Sequence, residues 1–294
     1  MIKKKVTGAL GIIGGSGLYE IEGLEATRWD AIATPFGTPS DEFFFGELSG
    51  RKLVFLPRHG RGHRLPPGDI NYRANIDAMK RAGVTEILSL SAVGSLREEL
   101  APGTFVIVDQ FIDRTSSRKK SFFGPGLVAH VAMEKPVCGR LGQAVKEACK
   151  DEGIHVAYGG TYLAMEGPQF STFAESEFYR NAGFDVIGMT NMPEAKLARE
   201  AEICYASVAM VTDYDCWHPD HDAVTVEGIL KVLFANANQA RKLVRRVVPL
   251  TGANDPCEQG CDRALDNAIV TAENVRDPDL IAKLDAVAGR VLRE

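Results

Sequence analysis

Nowhere in this chain do two cysteines stand as Cys-x-x-Cys. Its six cysteines, Cys138, Cys149, Cys204, Cys216, Cys257 and Cys261, are scattered, most of them in apolar or helical surroundings. The spacing signature of a structural zinc site is missing, so no metal is expected. Cys257 and Cys261, four apart, could face each other or pair oxidatively, but in a reducing cytosol buried or idle thiols are the stronger expectation. No apolar run exceeds strand length, which excludes a membrane-spanning helix. Residues 1–10 are too short and too mixed for a signal peptide, so a cytoplasmic enzyme is the default. Gly-x-Ser-x-Gly is absent, and no cysteine has an evident histidine partner, so no covalent nucleophile stands out. Basic residues are not concentrated either: Lys3-Lys4-Lys5 is the only basic cluster near a terminus. The net charge of −5 is interspersed, which argues against a nucleic-acid partner.

What is present is ordinary globular material. The 294 residues are 45% hydrophobic and 25% charged, enough for one large α/β domain or two modest ones. Apolar, strand-like runs cover 9–13, 53–56, 87–90, 105–108, 162–165, 186–189 and 205–211. Helical spacing marks 72–82, 136–152, 171–181, 192–200, 226–247 and 277–292, with Gly83, Gly153 and Gly183 as stops. Strands alternating with helices predict an α/β sheet with helices on its faces. There is no internal repeat, and 250–259 reads as a loop, so one domain is expected over 1–294, with a helical C-terminal extension from about 262.

Several strands finish in glycine or small polar residues, the composition of a ligand-facing rim. Gly14-Gly15-Ser16-Gly17 follows the first. It is either an anion cradle, with glycine amides and the Ser16 hydroxyl as donors, or merely a tight turn. A dinucleotide fingerprint would need glycine where Glu20 stands, and a P-loop would need a nearby lysine. Arg58-His59-Gly60-Arg61-Gly62-His63-Arg64 follows the second, and so many cationic or titratable groups at a strand end favour anion binding over a bare surface loop. Ser91-Ala92 and Thr190 add small hydroxyls at later strand ends. Phe170 and Met189 suit stacking on a sugar or base, though such residues are more often core. His130, in an apolar stretch, is by itself a structural group.

The run 205–211 closes in Thr212-Asp213-Tyr214-Asp215. Residues i and i+2 of a strand face the same way, so Asp213 and Asp215 are expected to point together beyond the sheet edge, where ligands bind in open α/β sheets. Ionised carboxylates only accept hydrogen bonds, so the pair calls for a donor such as an exocyclic amine; the alternative is a solvated acidic turn.

These pieces, in this order, resemble the purine nucleoside phosphorylase superfamily, and more closely its methylthioadenosine phosphorylase family. Gly11-Ile12-Ile13-Gly14-Gly15-Ser16-Gly17-Leu18, Arg58-His59-Gly60, Asn71-Tyr72-Arg73-Ala74-Asn75-Ile76 and Ser91 to Glu99 carry the likeness. So do Asp109 to Thr115, Glu166-Gly167-Pro168-Gln169-Phe170-Ser171, Pro193-Glu194 and Asp213-Tyr214-Asp215-Cys216-Trp217. The resemblance implies a single α/β domain with a mixed central sheet flanked by helices, and exchange of a purine for phosphate at C1' of a nucleoside. It implies phosphate binding by Ser16, Arg58, His59, Ser91, Ala92 and Thr190, and a sugar and base lining of Phe170 and Met189. Asp213, Tyr214 and Asp215 would meet the purine edge, with Asp213 as general acid and Asp215 ionised. Ser171 and Val226 would set base and 5'-group preference, and His130 would reach the 5'-substituent across a subunit boundary. It further implies no cofactor beyond phosphate as co-substrate, a homotrimer or dimer of trimers, and methylthioadenosine as substrate, with adenosine, inosine, guanosine or methylthioinosine as alternatives. Ser16 stands where threonine is usual, and Asn191-Met192 where Thr-Val often follows Thr190.

Overall fold

The structure is a computed structural model that describes residues 8–219, 226–252 and 256–293; the side chains of Ser16, residues 226–231 and Leu233 lie outside the described residues. In chain order the elements are β1 (Ala9–Gly14), β2 (Glu25–Asp30), β3 (Phe43–Leu48), β4 (Arg51–Pro57), α1 (Tyr72–Arg81), β5 (Val84–Ser95), β6 (Phe105–Val108) and β7 (Gln110–Asp113). There follow α2 (Gly139–Asp151), β8 (Val156–Tyr158), β9 (Thr161–Ala164), α3 (Phe173–Asn181), β10 (Val186–Gly188), α4 (Glu194–Glu200), β11 (Cys204–Asp213), α5 (Val226–Val247), α6 (Pro278–Lys283) and α7 (Gly289–Leu292).

One mixed sheet holds every strand, and it forks at β5. The long arm runs β2-β3-β4-β1-β5-β11-β6-β8; the short arm leaves β5 through β10, β9 and β7. β1, β4, β5 and β11 are mutually parallel, so their C-terminal ends open on the same edge. β5 pairs with β11 along its length and, at Gly94 and Ser95, with β10 running the other way.

Alternation along the central strands feeds two cores. Ile13, Leu56, Ile87 and Ala209 turn to the face covered by Ile76 and Met79 of α1 and Leu197 and Ala198 of α4. Leu10, Ile12, Leu53, Phe55, Leu88 and Val208 turn to the face covered by Leu141 and Val145 of α2 and Leu243 and Val244 of α5. Strands buried on both faces must be apolar at every position, which is why they read as unbroken runs.

Four expectations need correction. Ser91 to Ser95, expected beyond the end of a strand over 87–90, are strand, because β11 and β10 both bond to them. Residues 110–113, just past the strand-like run 105–108, form a further strand, β7, paired with β9. The helix expected over 192–200 starts at Glu194, with Pro193 as its N-cap. The single terminal helix over 277–292 is two short ones, α6 and α7. The segment 256–293 is otherwise turns, laid against the body by an Ala129–Ile269 bridge and by the His130 amide donating to Ala268.

Candidate active site

Arg58 follows the end of β4 and is buried, 3% exposed, with its guanidinium almost fully engaged. Its Nε donates to the buried Glu194 carboxylate. Its Nη2 donates to the Tyr72 hydroxyl and to the Met189 carbonyl, both at 3.0 Å. Its Nη1 lies 2.8 Å from His59 Nε2. One Nη1 hydrogen is left to point elsewhere, by the count of five guanidinium N–H donors.

His59 departs from the expected anion donor. Its Nδ1 is 2.8 Å from the Leu65 carbonyl, which can only accept, so Nδ1 carries the proton and Nε2 accepts from Arg58. Burial and the adjacent Arg58 charge push its pKa down to about 4. The imidazole is neutral, stacks on His63 at 4.2 Å and has no N–H to spare.

Thr190 comes to the same place through Tyr162. The Thr190 amide donates to the Tyr162 hydroxyl at 3.1 Å, and the Ser91 hydroxyl lies beside that phenol. Gly188 permits the approach: a Cβ there would sit 2.2 Å from the Tyr162 oxygen. Ser91 Oγ is buried against that phenol, and Ala92 follows it half-buried on β5. Of the expected oxyanion residues, Arg58 with His59 is linked to Thr190 through the Met189 carbonyl, Thr190 is linked to Ser91 through the Tyr162 hydroxyl, and Ala92 follows Ser91 on β5, while the Ser16 side chain lies outside the described residues.

Arg118 organises this region, although no pattern in the sequence marks it. It is buried, and it donates to the Met189, Met192, Met165 and Glu166 carbonyls and to the Glu166 carboxylate. It clasps the ends of β9 and β10 together.

Farther along β5 the acids converge on Gly94. β11 bulges between Val211 and Asp213, so that Asp213 pairs with Gly94. A Cβ on Gly94 would lie 3.0 Å from Asp213 Oδ1 and 3.2 Å from Asp215 Cβ, so glycine makes the room. The expected strand alternation does not reach Asp215, which sits in a turn with φ of 52°. Proximity comes instead from the Asp215 amide, which donates to Asp213 Oδ1 at 2.8 Å. Asp213 Oδ2 is 2.7 Å from the Thr212 hydroxyl, itself 3.1 Å from the Val93 carbonyl. Burial raises the pKa of both acids; the Thr212 hydroxyl and the Asp215 amide oppose this at Asp213.

The hydroxyls of Ser171 and Ser176 face the buried Asp215 carboxylate and favour its ionised form, against the effect of burial. A carboxylate that only accepts, set beside two hydroxyls that can donate or accept, makes a buried polar wall suited to a hydrogen-bonding ligand. Ser176 escaped the sequence reading because it sits mid-helix in α3.

The remaining expected residues fall less neatly. Met189 lends its carbonyl to both arginines and packs its thioether over Gly167. Phe170 is not core: it is 47% exposed beside the Ser171 pocket. Tyr214 turns away, its ring against Trp217 and its hydroxyl on the Glu98 carbonyl. His130 is exposed on the segment bridged to the C-terminal residues. Val226 begins α5, and its side chain lies outside the described residues.

Two polar groups thus lie along β5, Ser91 toward the arginine cluster and Gly94 beside the acids, chemistry that suits an anion near the first and a hydrogen-bonding ring near the second. The phosphorylase superfamily model matches residues 9–249, and the chain belongs to that family. Among curated proteins, an S-methyl-5'-thioadenosine phosphorylase of Bradyrhizobium diazoefficiens is 62% identical over 97% of this chain and 98% of its own length. Another of the same name, from Rhodospirillum rubrum, is 63% identical over 96% of this chain and 97% of its own. Among solved structures, a methylthioadenosine phosphorylase from an antarctic soil metagenomic library superposes with a TM-score of 0.89 at 46% identity, over 96% of this chain and 99% of that one. One from Schistosoma mansoni, in complex with adenine, superposes at 0.81 with 35% identity, over 89% and 99%.

Proposed function

We propose that the chain catalyses phosphorolysis of S-methyl-5'-thioadenosine to adenine and S-methyl-5-thio-α-D-ribose 1-phosphate, in methionine and purine salvage. The observation that carries this reading is the buried Asp215 carboxylate faced by the Ser171 and Ser176 hydroxyls, at the end of β11 and next to β5, the strand that also carries Ser91. Relatives sharing more than 60% of the sequence over nearly their full length bear the corresponding name.

Cleaving the N-glycosidic bond leaves positive charge on the ribose and negative charge on the purine. Phosphate beneath C1' offsets the first and is itself the nucleophile, held in line so that attack needs no diffusional encounter. The remaining Arg58 N–H, the hydroxyls of Ser16, Ser91 and Thr190 and the Ala92 amide bind it. His59 acts through Arg58, whose fork it holds in place as a neutral acceptor. Phe170 and Met189 line the sugar and base, and Ser171 and Val226 set preference. The residues at the site call for no metal or organic cofactor in this step.

Asp213 protonates N7 of the departing purine. Thr212 lets it do so: one hydroxyl has one proton and two neighbours, Val93 O and Asp213 Oδ2. When it donates to Val93, a protonated Asp213 can donate to it; when Asp213 is ionised, it turns and donates back. Both protonation states are satisfied in a buried place. Because burial raises this carboxyl and the protonated form is the active one, kcat/KM is expected to fall as pH rises through its pKa. Thr212→Val removes the donor that favours the ionised form, so the alkaline limb is expected at higher pH, with kcat about fivefold lower from one lost hydrogen bond. A pH–rate profile checks this; a drop of equal size at every pH with an unmoved limb would leave Thr212 a packing residue.

Asp215 stays ionised and accepts from the 6-amino group. Opposite a 6-oxo group it would set acceptor against acceptor, at a cost of about 1–3 kcal/mol, or roughly tenfold to a hundredfold in kcat/KM. Steady-state comparison of methylthioadenosine, adenosine and methylthioinosine tests the substrate: the adenine nucleosides are expected to lead, and equal or faster turnover of methylthioinosine would remove this assignment.

The active form is a cytoplasmic homotrimer in this reading. Val128, Val270 and Val275, exposed beside the His130 segment, support a subunit contact there through which His130 reaches a neighbouring 5'-group. Among the described residues, no helix is long and apolar enough to cross a membrane. A monomeric mass in analytical ultracentrifugation would refute the trimer.

A further inference from the structure

Four cysteines from three distant stretches of chain meet behind the sheet. Cys138 caps the N-terminus of α2, Cys204 opens β11, and Cys257 and Cys261 lie in the turn after α5. Their Sγ atoms all lie within 4.8 Å of one another, and all four residues are buried. We propose that Cys138, Cys204, Cys257 and Cys261 form a tetrathiolate site for one zinc-type divalent cation, placed to fasten the C-terminal segment to the body of the enzyme.

The geometry fits that class of ion. Four sulfurs about 2.3 Å from a tetrahedral zinc stand about 3.8 Å apart. Cys138 and Cys257 are 3.7 Å apart here, much farther than the roughly 2.05 Å of a disulfide. A soft, all-sulfur set selects zinc-like metals over magnesium or calcium, which take oxygen. Gly260, at φ of 68°, makes the turn that returns Cys261 toward Cys257, and its amide donates to the Cys257 carbonyl at 2.7 Å. Without glycine the left-handed turn would be strained.

The surroundings suit the charge. On binding Zn²⁺ the four thiols release their protons to solvent, leaving a centre of net charge −2. Arg140 Nη2 lies 3.7 Å from Cys204 Sγ, and the positive end of α2 faces Cys138. Beyond Cys261 the chain runs directly to Leu265, Ala268 and Ile269, which pack on the body, and Ile269 bridges Ala129 next to His130. A cation there would therefore brace the loop that carries His130. No Cys-x-x-Cys pattern marks these four sulfurs, because they are gathered by tertiary structure and not by local spacing.

The test is metal analysis of the full-length protein purified without a metal-affinity tag. About one zinc per chain is expected by plasma emission, released when an organomercurial blocks the thiols and captured by a chromogenic chelator. Replacement by Co²⁺ is expected to give the visible bands of tetrahedral cobalt thiolate. The double variant Cys257→Ser/Cys261→Ser, outside the stretch matched by the family model, is expected to lose the metal and to be cut faster after residue 250 by protease. Metal-free protein in which all six thiols react with an alkylating reagent in denaturant, and which takes up no added Zn²⁺ or Co²⁺, would overturn the proposal. So would two or four thiols found masked until reductant is added, since those cysteines would then be disulfides.

Discussion

Asp213→Asn is expected to lower kcat for methylthioadenosine by roughly 10²–10⁴-fold, the usual contribution of a general acid. The substitution is nearly isosteric and leaves the neighbours satisfied. The asparagine carbonyl accepts from the Asp215 amide as Oδ1 does now, and its amide donates to Thr212, whose proton turns to Val93. The variant thus imitates the protonated acid in shape while having no proton to deliver. Substrate KM should change little and kcat should carry the loss, the signature of an interaction made only in the transition state. The alkaline limb of the pH profile should disappear with it. Steady-state kinetics on the variant check this. Unchanged kcat would dismiss Asp213 as the acid and move the role to Asp215.

Glu194→Ala is expected to be the most destabilising single change near the site. Glu194 is 1% exposed, and among the described residues its carboxylate is the only acidic partner of the buried Arg58. Removing one member of a buried pair costs about 3–5 kcal/mol because the other charge is stranded. For a domain of this size that is a fall of about 10 °C in Tm by calorimetry. Arg58 would also lose the contact that fixes its Nε edge, so KM for phosphate should rise about tenfold or more while KM for the nucleoside moves little. Glu194→Gln keeps an acceptor without the charge and should fall between. Equal changes in both KM values would make Glu194 a purely structural residue.

The sequence was most informative where local rules suffice. Central strands buried on both faces are continuous apolar runs, and helices such as α1 carry their cap and stop in plain view, Asn71 at one end and Gly83 at the other. β2 was missed because Glu25–Asp30 is a mostly exposed, polar edge with no alternation. The second half of β5 was missed because Ser91, Ala92, Gly94 and Ser95 are small; their strand character comes from two partners far away in sequence. Within the site, residues at strand ends could be listed in advance, but their partners could not. Tyr72, Tyr162, Arg118 and Ser176 act across separations that no spacing rule covers. His59 is the clearest case: a basic loop suggested a cationic donor, and only the Leu65 carbonyl and the burial reveal a neutral acceptor.

The central claim is that phosphate is the nucleophile, and release of adenine from methylthioadenosine as a function of phosphate tests it most directly. Turnover should vanish when phosphate is removed enzymatically, rise to saturation as it is restored, and yield one methylthioribose 1-phosphate per adenine. Adenine release that persists without phosphate, with free methylthioribose as the other product, would contradict the account.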